Sequence, residues 1–350
     1  MRKGFILLSL FISIGCYAQT EVSNYLPGRN NEGVTYFLPK TSIDITVKAE
    51  KTTYTPGDFC RYAEKYLRLT GIATVPEEQW VIKSVMITPV GTPDTEKAFT
   101  IKLKDKTVAP LVELTEDGII KAINTNYPEI RQNEIKEKKK VPILNPRDYL
   151  TEEILMAGST AKMAELVAKE IYNIRESKNA ITRGQADSMP KDGESLKIML
   201  SSLEEQEQAL MQLFTGKTVT ESESFTIKVT PTGNIDKEVL FRFSKKLGIV
   251  PASDLAGSPI YLTLTSQNVI PKPTEEEKPK KKLDGIVYNV PGKADITISN
   301  GIKPLYKGEL ILSQFGNTEV LTNNLFNKKT TTKVIFDPTT GGLVKIEAEN

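Results

Sequence analysis

The chain has 350 residues, a formal charge of +2 and 26% charged residues, so its balanced surface does not steer it toward nucleic acid or acidic lipid. It contains no histidine, which excludes Ser-His-Asp and Cys-His catalysis, His-ligated zinc and haem-His chemistry. Its two cysteines are Cys16 and Cys60; once a signal segment is removed only Cys60 remains, and no intramolecular disulfide is expected.

The N-terminus reads as a secretory signal peptide over 1–18. Arg2 and Lys3 precede an apolar run from Phe5 to Ile14, closed by Gly15-Cys16-Tyr17-Ala18-Gln19. The run is shorter than the roughly 20 residues a membrane-spanning helix needs. Cysteine and alanine at positions 16 and 18 favour cleavage between Ala18 and Gln19. The alternative makes Cys16 the acceptor of a lipid anchor, although Ser13 stands where such a signal carries leucine.

Residues 19–130 read as a β-rich domain with one helix. Ile43, Ile45, Val47 and Ala49 alternate with polar neighbours, as on a half-buried strand. After the turn at Pro56-Gly57-Asp58, Phe59, Tyr62, Ala63, Tyr66 and Leu67 fall at helical spacing. Strand patterns return near Trp80–Ile87 and Phe99–Leu103, and Leu111–Ile123 predicts a hairpin turning at Asp117-Gly118. A charged linker follows over 131–146. The stretch 147–216 predicts an antiparallel helical hairpin: one stripe carries Met163, Leu166, Val167, Ile171 and Ile174, the other Leu196, Leu200, Leu203, Leu210 and Phe214. Asp192 is placed to cap the second helix. A C-terminal β domain over 222–350 shows short strands spaced by Gly and Pro, with a charged insert at 271–283 whose composition suits a mobile segment. The expected fold is α+β: two β-rich domains, the second sandwich- or open-barrel-like, joined by the helical hairpin.

Tyr36-Phe37-Leu38-Pro39-Lys40-Thr41 and Tyr62-Ala63-Glu64-Lys65-Tyr66-Leu67 resemble segments of an uncharacterised family of exported Bacteroidota cell-envelope proteins, a domain of unknown function. Ile174-Arg175-Glu176-Ser177, Phe214-Thr215-Gly216, Val290-Pro291-Gly292, Gln314-Phe315-Gly316 and Pro338-Thr339-Thr340-Gly341 are similar to its later segments. The resemblance implies a Gram-negative outer-envelope setting, in the periplasm or at the outer membrane, and supplies no catalytic residue.

For chemistry, Ser159-Thr160-Ala161-Lys162 has the S-x-x-K form of Ser-Lys hydrolases, in which lysine activates a helix-opening serine. Ser188-Met189-Pro190-Lys191 matches equally well, and the K-T-G partner motif is missing, so a helix cap is the favoured reading of Ser159. Glu207 falls on an apolar seam, where a facing cation is expected rather than catalysis. Glu152-Glu153 and Glu204-Glu205 point to different sides of a helix, and the Phe59, Tyr62 and Tyr66 stripe suits a core face. Lys138–Lys140 and Lys280–Lys282 adjoin acidic residues and read as solvated linkers. No cofactor or metal site is expected. The expected function is a non-catalytic exported envelope protein, a structural or interaction component of an outer-membrane-associated assembly whose partners are other envelope proteins. A glycan- or peptide-binding module is the alternative, and a Ser159/Lys162 hydrolase the remote one.

Overall fold

A computed structural model describes residues 21–25, 33–102, 111–128, 144–186, 192–267, 285–322 and 331–349. The signal segment with Cys16, Ala18 and Gln19, most of the charged linker, Ser188–Lys191 and the 271–283 insert lie outside the described residues.

The chain is β-rich, with three antiparallel sheets and no closed barrel among the described residues. The first sheet runs β1 (Glu21–Asn24), β3 (Glu77–Lys102), β2 (Val34–Thr55), β6 (Lys217–Val229). The second runs β11 (Pro304–Thr322), β10 (Gly285–Ser299), β9 (Ser258–Ser266), β7 (Ile235–Ser244), β8 (Gly248–Val250). In the third, β13 (Leu343–Glu349), β12 (Thr331–Phe336), β5 (Ile120–Ile123) and β4 (Val112–Leu114) lie side by side. The helices are α1 (Ala63–Leu67), α2 (Glu152–Leu155), α3 (Thr160–Thr182) and α4 (Gly193–Thr215).

The strands pair across the division expected from the sequence. β2 pairs with β6 from Ile43 to Thr55, and Ile123 and Ala122 of β5 pair with Val334 and Ile335 of β12. Segments before and after the helices therefore share two of the sheets. Alternation shows which face of a strand is buried, but not which strand lies beside it.

Long strands also replace several expected short ones. β3 is unbroken from Glu77 to Lys102, and β10 passes through Pro291-Gly292, where a turn was expected. The register slips between Val290 and Gly292, so these residues mark a β-bulge that bends the strand without ending it. Gly316 lies against this bulge. A Cβ on it would stand 1.8 Å from the Val290 carbonyl oxygen, so only glycine fits without backbone movement.

β2 serves two cores. Ile43, Ile45, Val47 and Ala49 are fully buried, as their alternation predicts. With Val85 of β3, the first three pack against Phe241, Ile260, Leu262, Ile296 and Leu312 of the second sheet, the inner layer of a two-sheet sandwich. Earlier in the same strand the buried positions are Tyr36 and Leu38, of opposite parity. They join Ile101 of the first sheet, Ile120, Ile123, Val334 and Phe336 of the third, and Ile286, Val287 and Leu321 of the second in a core that all three sheets share. The parity changes at Pro39–Ser42, where the opposing β3 bulges: Phe37 pairs with Ala98, but Pro39 pairs with Pro93. Successive side chains of β2 point to opposite faces, so Tyr36 and Leu38 meet one core and Ile43, Ile45 and Val47 the other.

A third core joins α1–α4. Phe59, Leu67, Val167, Ile171, Leu210 and Phe214 are buried together. Glu207 of α4 takes a hydrogen bond from Arg175 Nε of α3 at 2.6 Å and another from Lys178 Nζ at 3.1 Å. The facing cations expected for Glu207 are thus present on α3. Of the second stripe, Leu210 and Phe214 are buried, whereas Leu196, Leu200 and Leu203 are half-buried. No helix among the described residues is long and apolar enough to cross a membrane.

Candidate functional site

The point where β2 changes cores is also where the three sheets meet, and it is polar. Thr41 and Ser313 are buried on facing strands of the first and second sheets. The Thr41 backbone N–H donates to Ser313 Oγ at 3.1 Å, and the Ser313 N–H returns a bond to Thr41 Oγ1 at 3.1 Å. Gln314 Nε2 donates to the Thr41 carbonyl at 2.9 Å. Thr41 Oγ1 in turn donates to the Thr339 carbonyl at 3.1 Å, reaching the turn that joins β12 to β13. Asn289 of β10 completes the seam, its Nδ2 donating to the carbonyls of Pro39 at 3.1 Å and Thr340 at 2.8 Å. Each of these bonds satisfies a main-chain group that burial would otherwise penalise.

The β12–β13 turn is shaped by its own sequence, Asp337-Pro338-Thr339-Thr340-Gly341. Asp337 accepts from the Thr339 N–H at 3.0 Å and from Thr340 Oγ1 at 2.7 Å, the local bonding that makes Asp a turn residue. Gly341 has φ 73°, and a Cβ there would stand 2.7 Å from Pro39 Cδ and 2.8 Å from Asn289 Nδ2. Conformation and space both require glycine at this position.

Two clefts open on either side of Asp337. The larger, about 560 Å³, is lined by Glu113, Lys121, Asn126, Tyr127, Asp337 and Thr339 among others. Glu113 accepts from Lys121 Nζ at 2.7 Å and from the Tyr127 N–H at 2.6 Å. The lysine bond, followed by the amide bond, holds its carboxyl below the usual range. Lys121 also sits 5.2 Å from the centre of the Tyr127 ring. Burial and then the Asp337 charge push the Tyr127 phenol up, with Lys121 opposing them. The second cleft, about 420 Å³, is lined by Tyr288, Asn289, Pro291, Ile311, Glu319 and Leu343 among others. Burial and then a 2.9 Å bond to Glu319 push the Tyr288 phenol up to about 12.

The residues singled out for chemistry lie elsewhere. Ser159 is the N-cap of α3, and its Oγ accepts from the Lys162 N–H at 3.2 Å. Lys162 Nζ is turned to Glu165 Oε1 at 2.7 Å, and that bond raises its pKa, the opposite of what a lysine base requires. Glu152, Glu153, Glu204 and Glu205 are exposed, and Cys60 is half-buried in a 3-10 turn. Phe59 packs on Phe214 with ring centroids 5.6 Å apart, and Tyr62 stacks on Tyr66 at 6.1 Å. No group of three acidic or cysteine side chains among the described residues is placed to hold a metal ion.

Sequence reasoning missed the seam as a site. Its signal was nevertheless present, because four of the segments that carry the resemblance converge on it. Pro39-Lys40-Thr41, Val290-Pro291-Gly292, Gln314-Phe315-Gly316 and Pro338-Thr339-Thr340-Gly341 all lie at or beside the junction. The family model described as "Domain of unknown function (DUF4831)" matches residues 32–344. The chain belongs to this family. No curated protein and no solved structure matches it. The DUF4831 match spans the seam and the residues named for both clefts.

Proposed function

We propose that this DUF4831 protein is an exported, non-catalytic envelope protein, a structural or interaction component of an outer-membrane-associated assembly. The observation that carries the reading is the engagement of its chemically capable side chains in structural bonds. Ser159 caps a helix, Lys162 pairs with Glu165, Glu207 pairs with Arg175 and Lys178, and Thr41 and Ser313 bind one another. In this reading α3 and α4 act as an antiparallel helical hairpin beside β-rich units that present surfaces to other envelope proteins. The mature chain begins at Gln19 after cleavage behind Ala18; intact mass checks this, and an acylated N-terminal Cys16 would make it a lipoprotein instead. The functional test is a mild-detergent pull-down of the tagged full chain from native membranes. Stoichiometric recovery of defined outer-membrane proteins, unchanged by Ser159→Ala, supports the proposal. Recovery of the chain alone, together with covalent labelling of Ser159 by a penicillin-type probe, contradicts it.

One observation favours glycan or peptide binding as a second reading. The 560 Å³ cleft places the Tyr127 ring beside Asn126, Glu113 and Asp337, an aromatic surface with polar groups around it, as ligand sites commonly combine. A rise in melting temperature with oligosaccharides or peptides, abolished by Tyr127→Ala, would move this reading ahead.

A further inference from the structure

We propose that the outer edge of β13 is a homotypic interface, at which a second copy of this chain adds its own β13 antiparallel and joins two third sheets into one. Among the described residues β13 pairs with β12 on one side and has no strand on the other. An open edge offers unpaired N–H and C=O groups that another strand satisfies, and soluble proteins ordinarily blunt it. β13 has an irregularity near Leu343 and carries Lys345 on one face, but its other face is apolar. Val344, Ile346 and Ala348 alternate with Lys345 and Glu347, and Ile346 sits opposite the fully buried Val334 in the β12 register. Ile346 is therefore on the core side of the sheet, yet it is 43% exposed and Val344 is 62% exposed. A further strand would continue the core layer over them.

The sequence of β13 selects both the occupant and its register. Directly opposed residues share a face, so a two-fold axis must pass through a residue, not between two, if the apolar side is to stay continuous. β13 has one more residue than β12 between Leu343 and Lys345, so its regular register begins at Lys345. With the axis at Ile346, Lys345 of each copy lies opposite Glu347 of the other, twice over, and Ile346 opposes itself. An axis at Lys345 or at Glu347 sets like charges against each other at its centre. Charge complementarity thus chooses one arrangement, and opposite charges facing across antiparallel strands are favourable. Within one copy Lys345 Nζ already lies 2.6 Å from Glu347 Oε1, so both groups are at hand for the exchange. One strand pair is a small interface, and the dimer is accordingly concentration-dependent.

Light scattering on the size-fractionated full chain tests this across a concentration series. The expected mass rises from that of one chain toward twice that value. K345E and E347K should each remain monomeric with unchanged circular dichroism, since each sets like charges across the axis. An equimolar mixture should regain the dimer, because one chain then carries two acids where the other carries two lysines. Ile346→Cys should form an interchain disulfide on mild oxidation that the parent chain, which retains Cys60, does not. A parent chain that stays monomeric throughout, single variants that dimerise like the parent, or an Ile346→Cys chain that fails to cross-link would overturn the proposal.

Discussion

The seam and the helical layer hold their polar groups in opposite ways. In the helical layer several of the key bonds are local: Ser159 to the Lys162 amide, Asp192 to the Ser195 amide, and Lys162 to Glu165 each span three residues. In the seam the bond from Thr41 to Thr339 spans 298 residues, and that from Asn289 to Pro39 spans 250. A local bond forms within one element and opens with it. A long-range bond forms only when the sheets that bear it are already in place, so it opens only when they part. The seam should therefore report the stability of the whole β structure, and the helical layer largely its own.

The largest expected effect lies in the helical core. Phe214→Ala removes a fully buried ring packed on Phe59 and should cost about 3–5 kcal/mol in chemical denaturation. In the same helix the half-buried Leu203 should cost less on truncation to Ala, near 2 kcal/mol. The seam tests the other side of the contrast. Asn289→Ala leaves the buried carbonyl groups of Pro39 and Thr340 without their donor, at about 2–3 kcal/mol. That loss should appear in the unfolding of every sheet together, as coincident transitions by different probes.

Glu207 gives a smaller effect with a pH signature. Burial pulls its carboxyl up, but the bonds from Arg175 and Lys178 outweigh burial and hold it below the usual range. A depressed folded-state pKa contributes stability above the unfolded value, near 4.3, and loses it as pH falls through the folded value. Glu207→Gln should thus destabilise by about 1 kcal/mol at neutral pH. The difference from the parent chain should shrink as acid protonates Glu207, and melts across an acid series would show it. The smallest effects belong to the caps: Ser159→Ala or Asp192→Ala should cost about 1 kcal/mol and leave any cellular phenotype intact.

The same contrast explains what the sequence could reveal. The alternation from Ile43 to Ala49, the turn at Asp117-Gly118, the Asp192 cap and the α3 stripe depend on neighbours within a few residues, and all four appear in the fold. The partnerships β2–β6 and β5–β12 depend on sheet assembly, which local pattern does not encode. Pro291-Gly292 read as a turn because a bulge and a turn use the same residue types. Thr41, Ser313 and Asn289 read as ordinary polar positions, since nothing near them in sequence shows that they meet. Leu196, Leu200 and Leu203 share the spacing of the buried Leu210 and Phe214 but are only half-buried, because spacing shows a face and not how deeply it is covered.

Native-state hydrogen exchange measures the central contrast most directly, because it assigns an opening free energy to each amide. The seam amides of Thr41, Ser313 and Asn289 are predicted to exchange only through global unfolding, with one common opening free energy. Amides around Ile198 and Met199 should exchange through smaller local openings. Seam amides that exchange as fast as those in the first half of α4, or that open one sheet at a time, would contradict the seam as the element that unites the fold.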